Sequence, residues 1–146
     1  IRDEIEHINS YLTIQKMRYK DKMDFDIDVD KGILGYKTLK IVLQPLVDNS
    51  IYHGIKNKMD TGFIWIKGRK KGNRILLQVI DNGVGIPPEK LKSLLDKPVE
   101  SPKGSGVGVV NVNERIKLYY GDEYGLEFKS EFGVGTTVNV WLPVIE

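Results

Sequence analysis

The 146-residue sequence contains no cysteine. That excludes a disulfide framework and a thiolate metal site, and makes a reducing, cytoplasmic setting the expected one. Long apolar runs are missing as well. Nothing approaches the roughly 20 residues of a membrane span, and the start lacks the basic-then-apolar layout of a signal peptide. Nor is there a surplus of one charge: 22 basic and 20 acidic residues are interspersed for a net charge of +2. Without a clustered basic stripe, no nucleic-acid partner is expected. What is present, 40% hydrophobic and 29% charged residues, suits one globular domain burying roughly 68–70% of its unfolded surface. The first residue is Ile1, inside a helical pattern, so the chain is expected to be a piece of a longer protein.

From Arg2 to about Arg18 the apolar residues Ile5, Ile8, Leu12 and Ile14 recur at mostly helical spacing, with acids early and bases late. Phe25 to Asp30 alternates apolar and acidic residues, which predicts a strand with one wet face. Leu39, Val42, Leu43, Leu46 and Val47 form a helical stripe running toward Gly54, with Thr38 as candidate N-cap and Pro45 as an internal irregularity. Phe63 to Lys70 and Arg74 to Asp81 flank Lys71-Gly72-Asn73 and read as a hairpin. The stretch from Asp81 to Gly108 is rich in glycine and proline, with a weak helical pattern only at Glu89 to Leu95; loops of that length are usually functional. A helix from about Val109 to Tyr120 and strands Gly125 to Glu131 and Thr136 to Pro143 close the chain. The expected fold is α/β (α+β): a two-layer sandwich with about three helices on one face of a mixed five-stranded sheet. Phe63, Trp65 and Trp141 read as core or sheet-face residues.

Three polar clusters exceed what packing requires. In Gln44 to Gly54, Asn49 and His53 are four residues apart and share a helical face. The Asn49 carbonyl is a hard oxygen of the kind magnesium prefers, and His53 can donate to a phosphate; alone, the pair reads first as the solvated end of a helix. The second cluster, Asp81-Asn82-Gly83-Val84-Gly85-Ile86-Pro87, follows an apolar strand. It is either a turn or a site where the Asp81 carboxylate accepts from an adenine amine and glycines let backbone approach the ring. In the third, Gly104-Ser105-Gly106-Val107-Gly108 leads into a helix N-terminus, whose free N–H groups suit phosphate. It lacks the Lys-Ser/Thr ending of a P-loop and the preceding strand of a dinucleotide fingerprint.

In order and spacing the clusters resemble the ATP-binding catalytic domain of the GHKL superfamily (Bergerat fold), shared by histidine kinases, DNA gyrase, Hsp90 and MutL. Gln44 to Gly54 resembles the N box, Asp81 to Gly85 the G1 box, Gly104 to Gly108 the G2 box, and Gly133-Val134-Gly135-Thr136 the terminal glycine-threonine motif. The finer likeness is to LytS/YesM-type sensor kinases: a Leu-Gln-Pro-Leu-Val-acid-Asn N box followed by His-Gly, an upstream helix with Tyr-Leu-x-Ile-Gln-x-x-Arg (Tyr11 to Arg18), and Asn111 and Arg115 after the G2 box. Asp48 departs from the group's usual glutamate, which shortens the carboxylate's reach.

The resemblance implies ATP and Mg2+ as cofactors, with Asn49 as the magnesium ligand and His53 and Lys56 at the phosphates. Asp81 would read adenine, Gly83, Gly85 and Ile86 would shape its pocket, and Thr136 would support Asp81. Gly104, Ser105, Gly106, Val107 and Gly108 would fold over the phosphates. Asn49, Asp48 and His53 form the implied catalytic set. Gyrase-like and Hsp90-like members carry a water-activating glutamate where this chain has Pro45, so slow hydrolysis is expected. His7 lacks the family's Pro-His-Phe acceptor context and reads as a surface residue. The acceptor histidine would lie in an upstream dimerisation domain, joined through residues 1–20 to an ATP-binding domain at 21–146. The resemblance further implies a response regulator as partner, a homodimeric full-length protein and a membrane anchor elsewhere in it. Its alternatives are a non-catalytic nucleotide-binding module and a serine kinase of the anti-sigma type.

Overall fold

A computed structural model describes residues 1–55, 58–92 and 107–146, with the side chain of Val107 excepted. The chain runs α1 (Arg2–Tyr19), β1 (Met23–Val29), α2 (Leu43–Asn49), a π-helical turn (Ser50–Ile55), β2 (Gly62–Lys71), β3 (Arg74–Asp81), α3 (Pro88–Leu91), α4 (Val107–Tyr120), β4 (Gly125–Glu131) and β5 (Gly135–Pro143). The five strands form one sheet in the order β1-β2-β3-β5-β4. Only β1 and β2 pair in parallel; the other neighbours are antiparallel. This is the mixed sheet expected from the sequence. Its helix-facing side is made by every second residue: Ile64 and Ile66 on β2, Ile75, Leu77 and Val79 on β3, Val138, Val140 and Leu142 on β5, none more than 1% exposed. The strict alternation is what a sheet covered on one side requires.

Ile8 and Leu12 of α1, Leu43, Leu46 and Val47 of α2, and Val109, Val112 and Ile116 of α4 complete the same core. The opposite sheet face carries Arg74 stacked over the Trp141 ring at 4.2 Å, Phe63 against Trp65, and the polar pair Gln78 and Asn139 at 2.8 Å. The three aromatic residues therefore cover a sheet face.

The second helix differs most from expectation. It begins at Leu43, so Thr38 is not its cap, and Ile41 ahead of it takes a positive φ of 57°, a conformation costly for a β-branched residue. Two long-range contacts hold that entry. Glu4, buried at 6% exposure, accepts from the Val42 N–H at 2.5 Å, placing a carboxylate at the positive end of α2. Arg115 of α4 donates to the Lys40 carbonyl at 2.6 Å and to that of Ile41 at 3.4 Å. With the start at Leu43, Pro45 falls in the first turn, where its missing N–H costs nothing and no kink results.

Two smaller offsets concern ends. α4 starts at Val107, two residues early, which puts Gly108 inside the helix. The weak pattern at Glu89 to Leu95 is realised as the short α3 up to Leu91; residues 93–95 lie outside the described residues.

Candidate functional site

β3 continues its buried row Ile75, Leu77, Val79 into Asp81, a carboxylate where the next core aliphatic would stand. Asp81 is 4% exposed, pairs in register with Ile64 of β2 and Thr136 of β5, and lies beneath the π turn. Gly54 in that turn has no Cβ; one built there would sit 2.9 Å from Asp81 Oδ1. The Gly83 N–H donates to Oδ1 at 2.9 Å. Burial pushes the Asp81 carboxyl above its usual range, against the Gly83 N–H, the Ser50 hydroxyl, the Thr136 backbone and the positive charge of Lys58, which pull it down. The Ser50 hydroxyl is buried and makes no hydrogen bond of ordinary geometry, so its pull is a weak one. A carboxylate accepts about four hydrogen bonds, and one well-formed bond leaves capacity for an incoming N–H donor. An acidic group kept in an apolar row at the cost of desolvation is a functional-site signature.

The loop after Asp81 is tied down on three sides. Val84 N–H donates to the Gly54 carbonyl at 3.3 Å, and Gly133 N–H donates to the Val84 carbonyl at 2.6 Å. Ile86 N–H donates to Ser130 Oγ at 2.8 Å. Gly83 lies against the Gly54 backbone, and Gly85 has φ of 77° with its Cα facing the Glu131 carbonyl. Asn82 serves the sheet: its Oδ1 accepts from Phe63 N–H at 2.7 Å, and its carbonyl accepts from Lys58 Nζ at 2.8 Å. The Thr136 hydroxyl bonds Ser130 Oγ at 2.9 Å. The Thr136 side chain thus braces the loop through Ser130, while its backbone pairs with Asp81 in the β3–β5 register. Sequence reasoning passed over Ser50, Lys58 and Ser130. The alternation Leu126, Phe128, Ser130 on β4 was the available signal for Ser130.

Along α2 and the π turn the polar residues divide. Asn49 is half-buried and bonds no other described side chain. His53 is exposed, packs edge-on to Tyr52 with centroids 5.2 Å apart, and its imidazole is lowered, first by burial of part of the ring and then by the charge of Lys90. Neutral imidazole next to a lysine is suited to meeting an anion. Asp48 instead points at α1, where the Tyr11 hydroxyl donates to its Oδ1. His7 also turns toward α2, with Nε2 2.7 Å from Gln44 Oε1. A Cβ at Gly108 would come 3.3 Å from Pro45 Cβ, so the start of α4 packs on the first turn of α2. The structure therefore joins the Gln44–Gly54 motif to the Asp81–Gly85 loop at Gly54 and Gly83, and to the third motif at Pro45 and Gly108. Lys56, Gly104, Ser105 and Gly106 lie outside the described residues, as does the Val107 side chain.

Among the described residues no cluster of three or more His, Asp or Glu side chains is placed to cage a metal ion, and no helix is long and apolar enough to cross a membrane. A lone carboxamide fits magnesium in the way that ion is commonly held, through few protein ligands and the phosphates of a substrate. Asp81 under Gly54 and Gly83 likewise fits an adenine amine.

The chain has relatives among known proteins. The chain is similar to Sensor protein LytS of Bacillus subtilis (strain 168), 30% identical over 97% of this chain and 24% of that protein, and to Sensor histidine kinase BtsS of Escherichia coli (strain K12), 32% identical over 98% of this chain and 23% of that protein. Sensor histidine kinase YesM of Bacillus subtilis (strain 168) is 32% identical over 98% of this chain and 23% of its own length. The chain thus spans about a quarter of these relatives. In fold it resembles the catalytic domain of histidine kinase ThkA, with a TM-score of 0.71 at 17% identity over 98% of this chain and 96% of that one. The mycobacterial sensor histidine kinase MprB gives 0.61 at 21% identity over 97% and 94%. Residues 35–146 match the family described as Histidine kinase-, DNA gyrase B-, and HSP90-like ATPase, and the chain belongs to that family.

Proposed function

We propose that this chain binds magnesium-ATP and donates the γ-phosphoryl group to a histidine on an upstream domain of the same protein, as the catalytic part of a two-component sensor kinase. The observation that carries the reading is the buried Asp81 carboxylate, held under two glycine backbones with acceptor capacity to spare. Asp81 takes the adenine amine. Asn49 offers its carbonyl to the metal, and His53, with Lys56, meets phosphate oxygens. The glycines of 104–108 close over the phosphates. When bound, magnesium offsets the charge of the phosphoryl group in transfer; the chain's own residues position the nucleotide and exclude water.

In this reading residues 1–20 connect to a dimerisation and phosphoacceptor domain, the whole protein is a membrane-anchored homodimer with this part in the cytoplasm, and a response regulator receives the phosphoryl group. Pro45 supports transfer over hydrolysis, because it offers no base at the position where gyrase-like relatives carry glutamate. The expected result is ATP turnover by this chain well below about 1 per second, the low end of ordinary enzymes. With γ-labelled ATP, acid-labile phosphohistidine should appear only when the upstream domain is supplied. Turnover at or above that rate would point to an ATPase, and label on a serine would point to the anti-sigma type.

A further inference from the structure

Helix α2 presents two polar edges. Pro45 and Asn49, one turn apart, lie on one edge, with Pro45 against α4; Gln44 and Asp48, also one turn apart, lie on the other. The second edge is engaged by a single stripe of α1. Glu4 accepts from Val42 N–H, His7 meets Gln44, and the Tyr11 hydroxyl donates to Asp48. Positions 4, 7 and 11 follow one helical face, and their partners 42, 44 and 48 advance in the same direction, so the two helices are docked in parallel register. Ile8 and Leu12, both fully buried, sit beside that stripe.

The outermost of the three contacts is at the surface. A surface hydrogen bond adds little to stability, yet this one is charge-assisted and ends on the residue before Asn49. α2 has seven residues, begins after a strained Ile41 and runs straight into a π turn. So short a segment has little helical scaffold of its own to fix its rotation, and lateral contacts do so instead.

We propose that Tyr11 is a positioning residue for the nucleotide site: by holding Asp48 it fixes the rotation of α2 and so aims the adjacent Asn49, making the seating of α1 a determinant of affinity for the metal-bound triphosphate. The inference rests on the reading of Asn49 given above. It converts α1 from a passive connection into an element whose displacement by upstream parts of the protein would be felt at the metal ligand.

The test is a set of dissociation constants for ATP with magnesium and with EDTA, measured on this chain, on Tyr11→Phe, on Asp48→Ala, which removes the accepting oxygen, and on the double variant. Each single change should weaken magnesium-ATP binding about fivefold or more, the lower range of measured couplings between sites, and move metal-free ATP binding much less. The double variant should be no weaker than either single one, since both remove the same bond. Thr13→Ala, whose hydroxyl bonds only the Asn9 carbonyl within α1, should bind as the intact chain does. Denaturant midpoints of the free variants close to that of the intact chain would show that affinity, and not folding, has changed. Unchanged magnesium-ATP affinity in Tyr11→Phe, equal losses with and without metal, or additive losses in the double variant would each overturn the inference while leaving nucleotide binding intact. Absence of binding by the unaltered chain would remove the nucleotide reading itself and this inference with it.

Discussion

Replacing Asp81 with asparagine is expected to weaken ATP binding by roughly 10- to 100-fold while leaving the free fold at least as stable at neutral pH. A hydrogen bond to a charged acceptor contributes about 1.5–3 kcal/mol, and each 1.4 kcal/mol or so is tenfold in affinity. An amide N–H2 turned toward the adenine amine would add a donor facing a donor. Stability moves the other way because burial raises the Asp81 carboxyl. The sign follows from proton binding: between its unfolded value of 3.8 and the raised folded value, the folded state holds more protons, so this group's contribution falls as pH rises through that window. Above the unfolded value burial of this carboxyl is therefore a cost that the asparagine variant escapes. Its Oδ1 can still accept from Gly83 N–H, as the aspartate does at 2.9 Å. Calorimetric titration with magnesium-ATP, together with urea unfolding at pH 5 and pH 7, checks both halves. A variant that binds ATP normally would mean that Asp81 is buried for some other reason.

The second large effect is expected at Gly83. A Cβ there would lie 2.4 Å from Gly54 Cα, 2.5 Å from its carbonyl carbon and 2.8 Å from its oxygen, all far inside the roughly 3.5–4.0 Å of carbon contact. The obstacle is backbone on both sides, so no rotamer change relieves it. Gly83→Ala must push the Asp81 loop away from the π turn. Overpacking of this kind costs about 1–3 kcal/mol or more, which for a chain of this size is roughly 2–4 °C of melting temperature per kcal/mol. Because the same displacement moves Gly54 off the Asp81 carboxylate, ATP binding should fail with it. Gly35 is the matched control: a Cβ there meets nothing within 4 Å, and Gly35→Ala should be neutral or slightly stabilising. Thermal melts with and without magnesium-ATP separate the two positions; equal behaviour would show that the Gly54–Gly83 contact is not constraining.

The elements set by period were readable before the fold was known. α1, the β2–β3 hairpin, α4 and the β4–β5 pair all come from alternations long enough to identify a helix or a strand, and β1 differs in starting at Met23 and ending at Val29. The entry to α2 was not readable, because its cap comes from Glu4, 38 residues earlier, and nothing local marks Ile41 for a positive φ. Placing the start too early then made Pro45 look like an irregularity, when it occupies a first-turn position that proline tolerates. For the candidate site, motif order singled out Asn49, His53, Asp81 and the glycines. The parity of β3 carried a further signal that Asp81 shares the face of Ile75, Leu77 and Val79. What one dimension conceals is which side chains meet: Thr136 bonding Ser130, and Tyr11 reaching Asp48 across 37 residues.

The most direct test of the account is the thermal stability of the unaltered chain with magnesium and ATP. At a ligand concentration about 100 times the dissociation constant, a site in the folded state adds roughly 2.7 kcal/mol. The account predicts a shift of that size with magnesium-ATP, a smaller one without the metal, and little or none with GTP, whose ring presents a carbonyl where adenine presents the amine that Asp81 accepts. No shift with any adenine nucleotide, or the same shift with GTP, would contradict it.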